Sequence, residues 1–208
     1  MPVGVTAVDP QSGPALSGLR DCRRPARAAK AAAGHCFTLF CLKGRTMTIS
    51  DNELAALAEL DTPTVCNALE IVAPERRASG FNRRPLVCPA AQRGPVIGFA
   101  RTAMIKCAEP GGKSAAEIRD LRMRYYEYIE QGRRPGLAVI QDVEGPDCGI
   151  GAFWGEVQSN IHKALGCAGV ITDGSVRDID QMADGFFVLA GSVMPSHVWP
   201  ISWPSTRR

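Results

Sequence analysis

The sequence predicts a single α/β domain built around a largely buried sheet. Short apolar segments alternate with amphipathic ones through the body of the chain, which is the pattern of strands separated by helices. The 208 residues are enough for one domain with a substantial core, and 45% hydrophobic with 22% charged residues is ordinary for a globular protein. No stretch approaches the ~20 apolar residues of a membrane-spanning helix, so no membrane partner is expected.

The predicted helices begin and end with residues that favour helix ends. Ser50 and Glu53 have the spacing of a capping box, in which each side chain binds the other residue's backbone N–H. Thr62 is available as a cap before Pro63, which suits the first helical position. Gly166 is a usual left-handed helix terminator. From these signals and from apolar spacing we expect helices at residues 51–60, 63–72, 114–131, 153–165 and 176–182.

The predicted strands are short segments that are either mostly apolar or alternating. Residues 98–107 alternate small or apolar side chains with polar ones, as a strand does. Before them, residues 73–94 show no period and are expected to form a loop. The remaining strands are expected at residues 137–143, 168–172 and 187–190.

The two ends of the chain differ from its body. Residues 1–46 hold seven Lys or Arg and two Asp or Glu, and we expect an unstructured leader or an extension ahead of a start at Met47. Residues 47–197 are expected to form the domain, and residues 198–208 an irregular tail. Because the basic excess lies in the leader, the charge of the chain does not indicate a nucleic-acid partner.

The most informative residues are three charged side chains, Glu156, Arg177 and Asp178. Glu156 opens a helical pattern, and the other two follow a short apolar strand. Open α/β sheets bind ligands beyond the carboxyl ends of their strands, so a guanidinium and a carboxylate there could hold an anionic substrate and a divalent metal. The alternative is that Asp173, Arg177 and Asp178 are turn and cap residues in surface ion pairs, and spacing alone leaves both interpretations open.

Each candidate residue suits one part of such a site. At a helix N-terminus, unpaired backbone N–H groups attract carboxylates and phosphates, and a glycine lets the anion come close. Arg177 can bind a carboxylate through two charge-assisted hydrogen bonds. Asp178 offers the oxygen ligand that Mg²⁺ prefers, and Glu156 could hold a water and transfer protons. The candidate anion cradle is Gly155, Glu156, Val157 and Gln158.

These motifs resemble the RraA-like family, which includes 4-hydroxy-4-methyl-2-oxoglutarate aldolases and the regulator of ribonuclease E activity A. The resemblance covers roughly residues 50–198, and its centre is an acid followed twenty residues later by Arg-Asp. The matching segments are DTPTVCNAL at 61–69, GPVIGFARTA at 94–103, AVIQDVEG at 138–145, GAFWGE at 151–156 and GCAGVITDGSVRDID at 166–180.

The resemblance implies a compact RraA-like α/β/β domain of the swivelling-domain type, assembled as a homotrimer with active sites at subunit boundaries. It implies that Gly155 to Gln158 cradle a pyruvate moiety, that Arg177 binds the substrate and that Asp178 ligates the metal. Many members have Asp where this chain has Glu156. Members also continue past the Ser-His pair at 196–197 with further strands, so we expect C-terminal strands to be missing here.

The implied activity is that of a lyase in the cytoplasm. It is a Mg²⁺- or Mn²⁺-dependent class II aldolase that cleaves 4-hydroxy-4-methyl-2-oxoglutarate-type 2-oxo acids to pyruvate, with oxaloacetate decarboxylation as a side activity. One alternative is a non-catalytic, protein-binding regulator of ribonuclease activity. Those regulators lack the acid after the arginine, so Asp178 favours catalysis. The other alternative is an inactive truncated homologue.

Overall fold

The computed structural model describes residues 5–8, 48–79, 82, 84–89, 94–107, 111–197 and 201–204. The helices are α1 (Asp51–Ala58), α2 (Thr62–Val72), α3 (Ala115–Glu130) and α4 (Glu156–Ala164). The strands are β1 (Val5–Val8), β2 (Val96–Lys106), β3 (Gly136–Asp142), β4 (Ala152–Trp154), β5 (Cys167–Thr172), β6 (Ser175–Val176), β7 (Phe187–Leu189), β8 (Ser192–Val193) and β9 (Ile201–Pro204). The predicted α/β class is confirmed.

The main sheet has the strand order β1-β2-β3-β5-β7, with every pair parallel. β9 pairs with β2 in the antiparallel sense, on the part of the strand that β1 leaves uncovered. Parallel strands need crossover connections, and α3 and α4 supply two of them, from β2 to β3 and towards β5. β3, the central strand of the main sheet, is almost fully buried, as expected for a parallel sheet that is covered on both faces.

Successive residues of β3 face opposite sides of the main sheet. Ala138 and Ile140 belong to a large buried cluster that includes Tyr125 of α3. Val139, between them, belongs to a smaller cluster with Ile171 on the other face. Burial of each Val or Ile side chain in these clusters stabilises the fold by about 1.5–3 kcal/mol.

The second sheet is small and parallel, with the order β4-β6-β8. Trp154 of β4 and Val176 of β6 lie in the same buried cluster as the centre of the main sheet. The two sheets therefore share one core, and the position of the small sheet is determined by packing as well as by its few backbone pairs.

The helix starts follow the sequence signals with one correction. The capping boxes of α1 and α3 are present, with Ser50 bonded to Glu53 and Ser114 to Glu117. The predicted cap of α2 is wrong: Asp61 is the cap, because its carboxylate accepts the backbone N–H of Thr64 at 2.9 Å.

Two predicted helices are corrected by the small sheet. The segment at 153–165 is divided into β4, Gly155 and α4, and the segment at 176–182 into the end of β6 and a 3-10 turn at Ile179–Gln181. β8 was not predicted. In each case the backbone pairs with a strand that lies elsewhere in the sequence, and strands this short show no alternation of apolar and polar residues.

Two short strands come from segments that the sequence interpretation assigns to the leader and the tail. Val5–Val8 pairs with residues 96–99 of β2, and Ile201–Pro204 pairs with residues 103–106. The domain limits at 46/47 and 197/198 therefore stay a prediction. Of the helices in the described residues, none has the length and apolar character needed to cross a membrane.

Candidate active site

The candidate site lies at the edge where β4, β6 and β8 end. These strands are parallel, with Trp154 opposite Val176 and Val176 opposite Val193, so the residues that follow them meet. Gly155 follows β4 directly, and Arg177 follows β6. The Arg177 N–H donates to the Trp154 carbonyl at 2.8 Å, which continues the pairing by one residue. The sequence predicts that Arg177 and Asp178 follow the apolar strand at 168–172. In the structure β6 lies between, so the carboxyl end that they follow belongs to the small sheet.

Gly155 and Asp178 lie so close that a side chain at residue 155 would displace the Asp178 carboxylate. A Cβ atom on Gly155 would lie 2.4 Å from Asp178 Oδ2 and 3.1 Å from Arg177 Cγ. The Gly155 backbone is extended, with φ of −170°, so the glycine is needed for space and not for its conformation. The Asp178 carboxylate therefore lies against the residue that begins α4.

Arg177 is held at two points. Its Nη1 donates to the carbonyl of Ser196 at 3.4 Å, and its Nε lies 3.3 Å from Asp178 Oδ2. That second distance is within the range of an ion pair, but the geometry is not that of a hydrogen bond: within the described part of the chain, this buried Nε has no hydrogen-bond partner. Arg177 thus keeps an unused donor next to the carboxylate.

Asp178 has an unusual backbone conformation. Its φ and ψ are 50° and 44°, and among the described residues it is the one non-glycine residue with a positive φ. Aspartate tolerates this left-handed region better than most residues, and such conformations cluster at functional sites. The turn aims the side chain back towards Gly155 while leaving it 40% exposed, against 19% for Arg177.

The residues of the predicted cradle lie in the first turn of α4 and at its N-cap, Gly155. Gly155 has no side chain that could bind the free N–H groups of the helix. The first intrahelical hydrogen bond runs from the Ser159 N–H to the Gly155 carbonyl, so the N–H groups of residues 156–158 have no partner within the helix. The Glu156 and Val157 side chains are exposed. The Gln158 side chain is turned towards α3, where its Oε1 accepts a hydrogen bond from the Tyr126 hydroxyl at 3.0 Å.

Buried His162, a residue of α4, joins the first turn of this helix to α3 through hydrogen bonds. His162 Nδ1 lies 2.7 Å from the Gln158 carbonyl, and Nε2 lies 2.7 Å from the Tyr125 hydroxyl. A carbonyl can only accept, so Nδ1 carries the proton and Nε2 accepts from Tyr125. Burial lowers the pKa of His162 to about 4, which keeps the ring neutral in this role.

A second pair of carboxylates, Asp142 and Asp173, is structural. Asp142 accepts the N–H groups of Glu144 and Gly149, and the Asp142 N–H donates to Asp173 Oδ1 at 2.7 Å. Burial raises the pKa of both, that of Asp173 to about 6. The Asp173 carboxylate therefore accepts a hydrogen bond from the backbone of β3.

The donor set at Asp178 suits Mg²⁺ and not a fully protein-ligated metal. The described residues contain no group of three or more His, Cys, Asp or Glu side chains arranged to hold a metal. Mg²⁺ commonly takes only one or two protein carboxylates and keeps several waters. A half-exposed carboxylate beside a cradle of N–H groups matches that requirement.

The sequence matches a known family along most of its length. The family model described as RraA-like, aldolase/RraA, matches residues 46–199. The chain belongs to the RraA-like family. The resemblance drawn from the motifs is thereby confirmed, and with it the membership of a family that contains both aldolases and RraA proteins. No curated protein matches the sequence.

Solved structures share the RraA-like fold at low sequence identity. A structure described as a novel cellulase from microbes associated with the gut ecosystem is 16% identical, with a TM-score of 0.55, over 79% of this chain and 69% of that one. Streptomyces coelicolor RraAS2, described as an unusual member of the RNase ES inhibitor RraA family, is 15% identical, with a TM-score of 0.53, over 76% and 72%. An uncharacterized protein of Pseudomonas syringae pv. tomato is 17% identical, with a TM-score of 0.50, over 77% and 67%. These likenesses show the fold alone.

Ser196 is the contact residue that the sequence interpretation missed. Its carbonyl accepts a hydrogen bond from Arg177, but a backbone contact made from an irregular segment leaves no pattern in the sequence. The signal that could have drawn attention to it is the weak family similarity through VLAGSVMPSHV.

Proposed function

We propose that the chain is a divalent-metal-dependent lyase that cleaves 4-hydroxy-4-methyl-2-oxoglutarate-type 2-oxo acids to pyruvate and decarboxylates oxaloacetate. The observation that carries the proposal is the contact between the Asp178 carboxylate and Gly155 at the start of α4. One small region thus combines a metal-binding oxygen, N–H donors and the unused Nε of Arg177.

The binding part of the reaction falls to Arg177 and the α4 cradle. The guanidinium would bind the substrate carboxylate next to the 2-oxo group, and N–H groups of residues 156–158 would bind its oxygens. Because both groups are held by backbone contacts, the 2-oxo acid would be oriented before bond cleavage.

The bond-breaking part needs a proton acceptor and an electron sink. Asp178 would hold Mg²⁺ or Mn²⁺, which when bound stabilises by several kcal/mol the negative charge developing on the 2-oxo oxygen. Exposed Glu156 would hold a water that accepts the proton of the tertiary hydroxyl. The adjacent carbon–carbon bond then breaks, its electron pair stays with the pyruvyl fragment, and that fragment takes up a proton to become pyruvate.

A non-catalytic role as a ribonuclease regulator is the competing proposal. RraAS2 is described in those terms, but its 15% identity carries the fold and not the role. The Asp178–Gly155 contact favours the lyase, because a protein-binding surface has no need of a carboxylate in a left-handed conformation beside a helix N-terminus.

Removal of metal is expected to abolish pyruvate release. Oxaloacetate or 4-hydroxy-4-methyl-2-oxoglutarate is supplied, and pyruvate is followed through NADH oxidation by lactate dehydrogenase. EDTA should reduce the rate to the protein-free background, and excess Mg²⁺ or Mn²⁺ should restore it. A protein-free reaction with the same metal is the control, since metal ions alone promote decarboxylation of oxaloacetate. Turnover that persists in EDTA would contradict the metal-dependent proposal.

We also propose the homotrimer and the cytoplasmic location that the family resemblance implies. None of the residues of α2 is buried, and Leu69, Ile71 and Val72 are 51%, 80% and 73% exposed. An apolar helix face of this kind is expected to be covered by another subunit.

Ile71→Arg is expected to dissociate the assembly, because a charged side chain would have to be buried at the subunit contact. Sedimentation velocity should show a shift from trimer to monomer. Met123→Arg, at an exposed apolar position of α3, is the matched control and should leave the assembly unchanged. An Ile71→Arg protein that sediments like the parent would exclude α2 from the interface.

A further inference from the structure

Ser196 connects three parts of the candidate site. Its hydroxyl donates to the carbonyl of Ile150, and the same oxygen accepts the N–H of Ala152 at 3.1 Å. Its own carbonyl accepts Arg177 Nη1 at 3.4 Å. Ser196 therefore binds Ile150 and the first residue of β4 through its side chain, and the guanidinium through its backbone.

The two hydroxyl contacts determine where the Ser196 carbonyl lies. Ala152 is buried and paired with Ser175 of β6, so the backbone that Ser196 grips is fixed within the small sheet. The same strand, β4, ends next to Gly155. Ser196 thus links the Arg177 guanidinium to β4, and because β4 ends at the start of α4, this link fixes the guanidinium relative to the α4 cradle.

Without this connection, the guanidinium has a competing position. Its other contact is Asp178 Oδ2, 3.3 Å from Nε, without hydrogen-bond geometry within the described residues. A guanidinium released from Ser196 could turn to bind that carboxylate in two-pronged fashion. This ion pair would cover the Asp178 carboxylate, which is proposed to bind the metal, and would take the Arg177 N–H donors away from the substrate.

We propose that Ser196 is a positioning residue that holds the Arg177 guanidinium towards the substrate carboxylate and away from Asp178. The inference rests on the proposed lyase function for its kinetic test. It concerns the binding of the 2-oxo acid carboxylate, which is present throughout the reaction.

Ser196→Ala is expected to raise KM for oxaloacetate about tenfold, the effect of weakening one charge-assisted hydrogen bond, with kcat changed less than about twofold. This split follows because the carboxylate is bound equally in the ground state and the transition state. Ser196→Thr retains the hydroxyl and should restore the parent KM. A purely structural role would lower kcat in proportion to the folded fraction and leave KM unchanged, which would overturn the proposal.

Ser192→Ala, in β8 of the same sheet, is the matched control and should keep the parent KM. If Ser196→Ala does not fold, Ser196→Cys replaces it, because the thiol is a weak donor of similar size. Its KM should rise by less than tenfold, and a KM equal to that of the parent protein overturns the proposal.

Calorimetric titration with pyruvate and Mg²⁺ separates this inference from the lyase proposal. If the parent protein shows no turnover but binds pyruvate more tightly than Ser196→Ala does, the positioning role of Ser196 is supported and the lyase proposal fails. A parent protein with turnover whose KM and pyruvate affinity survive Ser196→Ala overturns Ser196 alone. A parent protein that neither turns over nor binds pyruvate overturns both.

Discussion

Asp178→Asn is expected to lower kcat/KM for pyruvate release by about a thousandfold, which corresponds to about 4 kcal/mol of lost transition-state stabilisation. The amide keeps the size of the carboxylate beside Gly155 but loses the negative charge that would hold Mg²⁺. Asparagine also tolerates the left-handed conformation of residue 178, so the fold should be retained. Steady-state kinetics with saturating Mg²⁺, together with far-UV circular dichroism, measure the two effects.

Asp180→Asn is the matched control for this experiment. Asp180 is an exposed carboxylate two residues away in the 3-10 turn, and its neutralisation changes the net charge by the same amount. It should keep the parent activity. A folded Asp178→Asn protein with parent activity would remove Asp178 from the proposed metal site and would leave the lyase proposal without its central residue.

Trp154→Ala is expected to reduce the free energy of unfolding by about 4 kcal/mol, the usual loss for truncating a fully buried large aromatic side chain. The Trp154 ring contacts Phe153 edge-on, lies 4.5 Å from the His162 ring and stacks on Phe186, with centroids 6.1 Å apart. Its removal would leave a cavity where the small sheet, α4 and the segment before β7 meet. Urea denaturation followed by far-UV circular dichroism measures the change.

Trp154→Phe distinguishes ring packing from the indole N–H. Within the described part of the chain, Trp154 Nε1 is buried without a hydrogen-bond partner, so its loss sacrifices no polar contact. We expect this variant to lose only about 1 kcal/mol, because phenylalanine retains most of the ring contacts. Equal losses for alanine and phenylalanine would contradict this expectation, because they would show that a phenylalanine ring recovers none of the packing of the indole.

Most of the main sheet was predictable: β2, β3, β5 and α3 are long enough to show a pattern, and β7, with only three residues, lies in an apolar run. β2, β3, β5 and β7 each overlap a predicted strand, and α3 matches its prediction to within a residue at each end. The small sheet was not predictable in the same way. Strands of two or three residues, such as β6 and β8, are too short for alternation, and their pairing partners lie far away in sequence.

The residues of the candidate site were predictable, but their contacts were not. Glu156, Arg177 and Asp178 stand out because charged side chains at strand and helix ends have few structural reasons to occur together. The approach of Asp178 to Gly155 depends on a left-handed turn at a non-glycine residue, for which the local sequence has no marker. The Ser196–Arg177 contact depends on the unpredicted β8, which brings the following segment to the site.

The outer edge of β2 is completed by backbone from both ends of the chain: β1 pairs with its first half and β9 with its last residues. During synthesis from the N-terminus, β1 can pair as soon as β2 emerges, whereas β9 is made about a hundred residues after β2. Until then, the N–H and C=O groups along residues 103–106 lie open to pairing with another nascent chain. The pairing of β9 therefore covers a strand edge that would otherwise be a template for another chain.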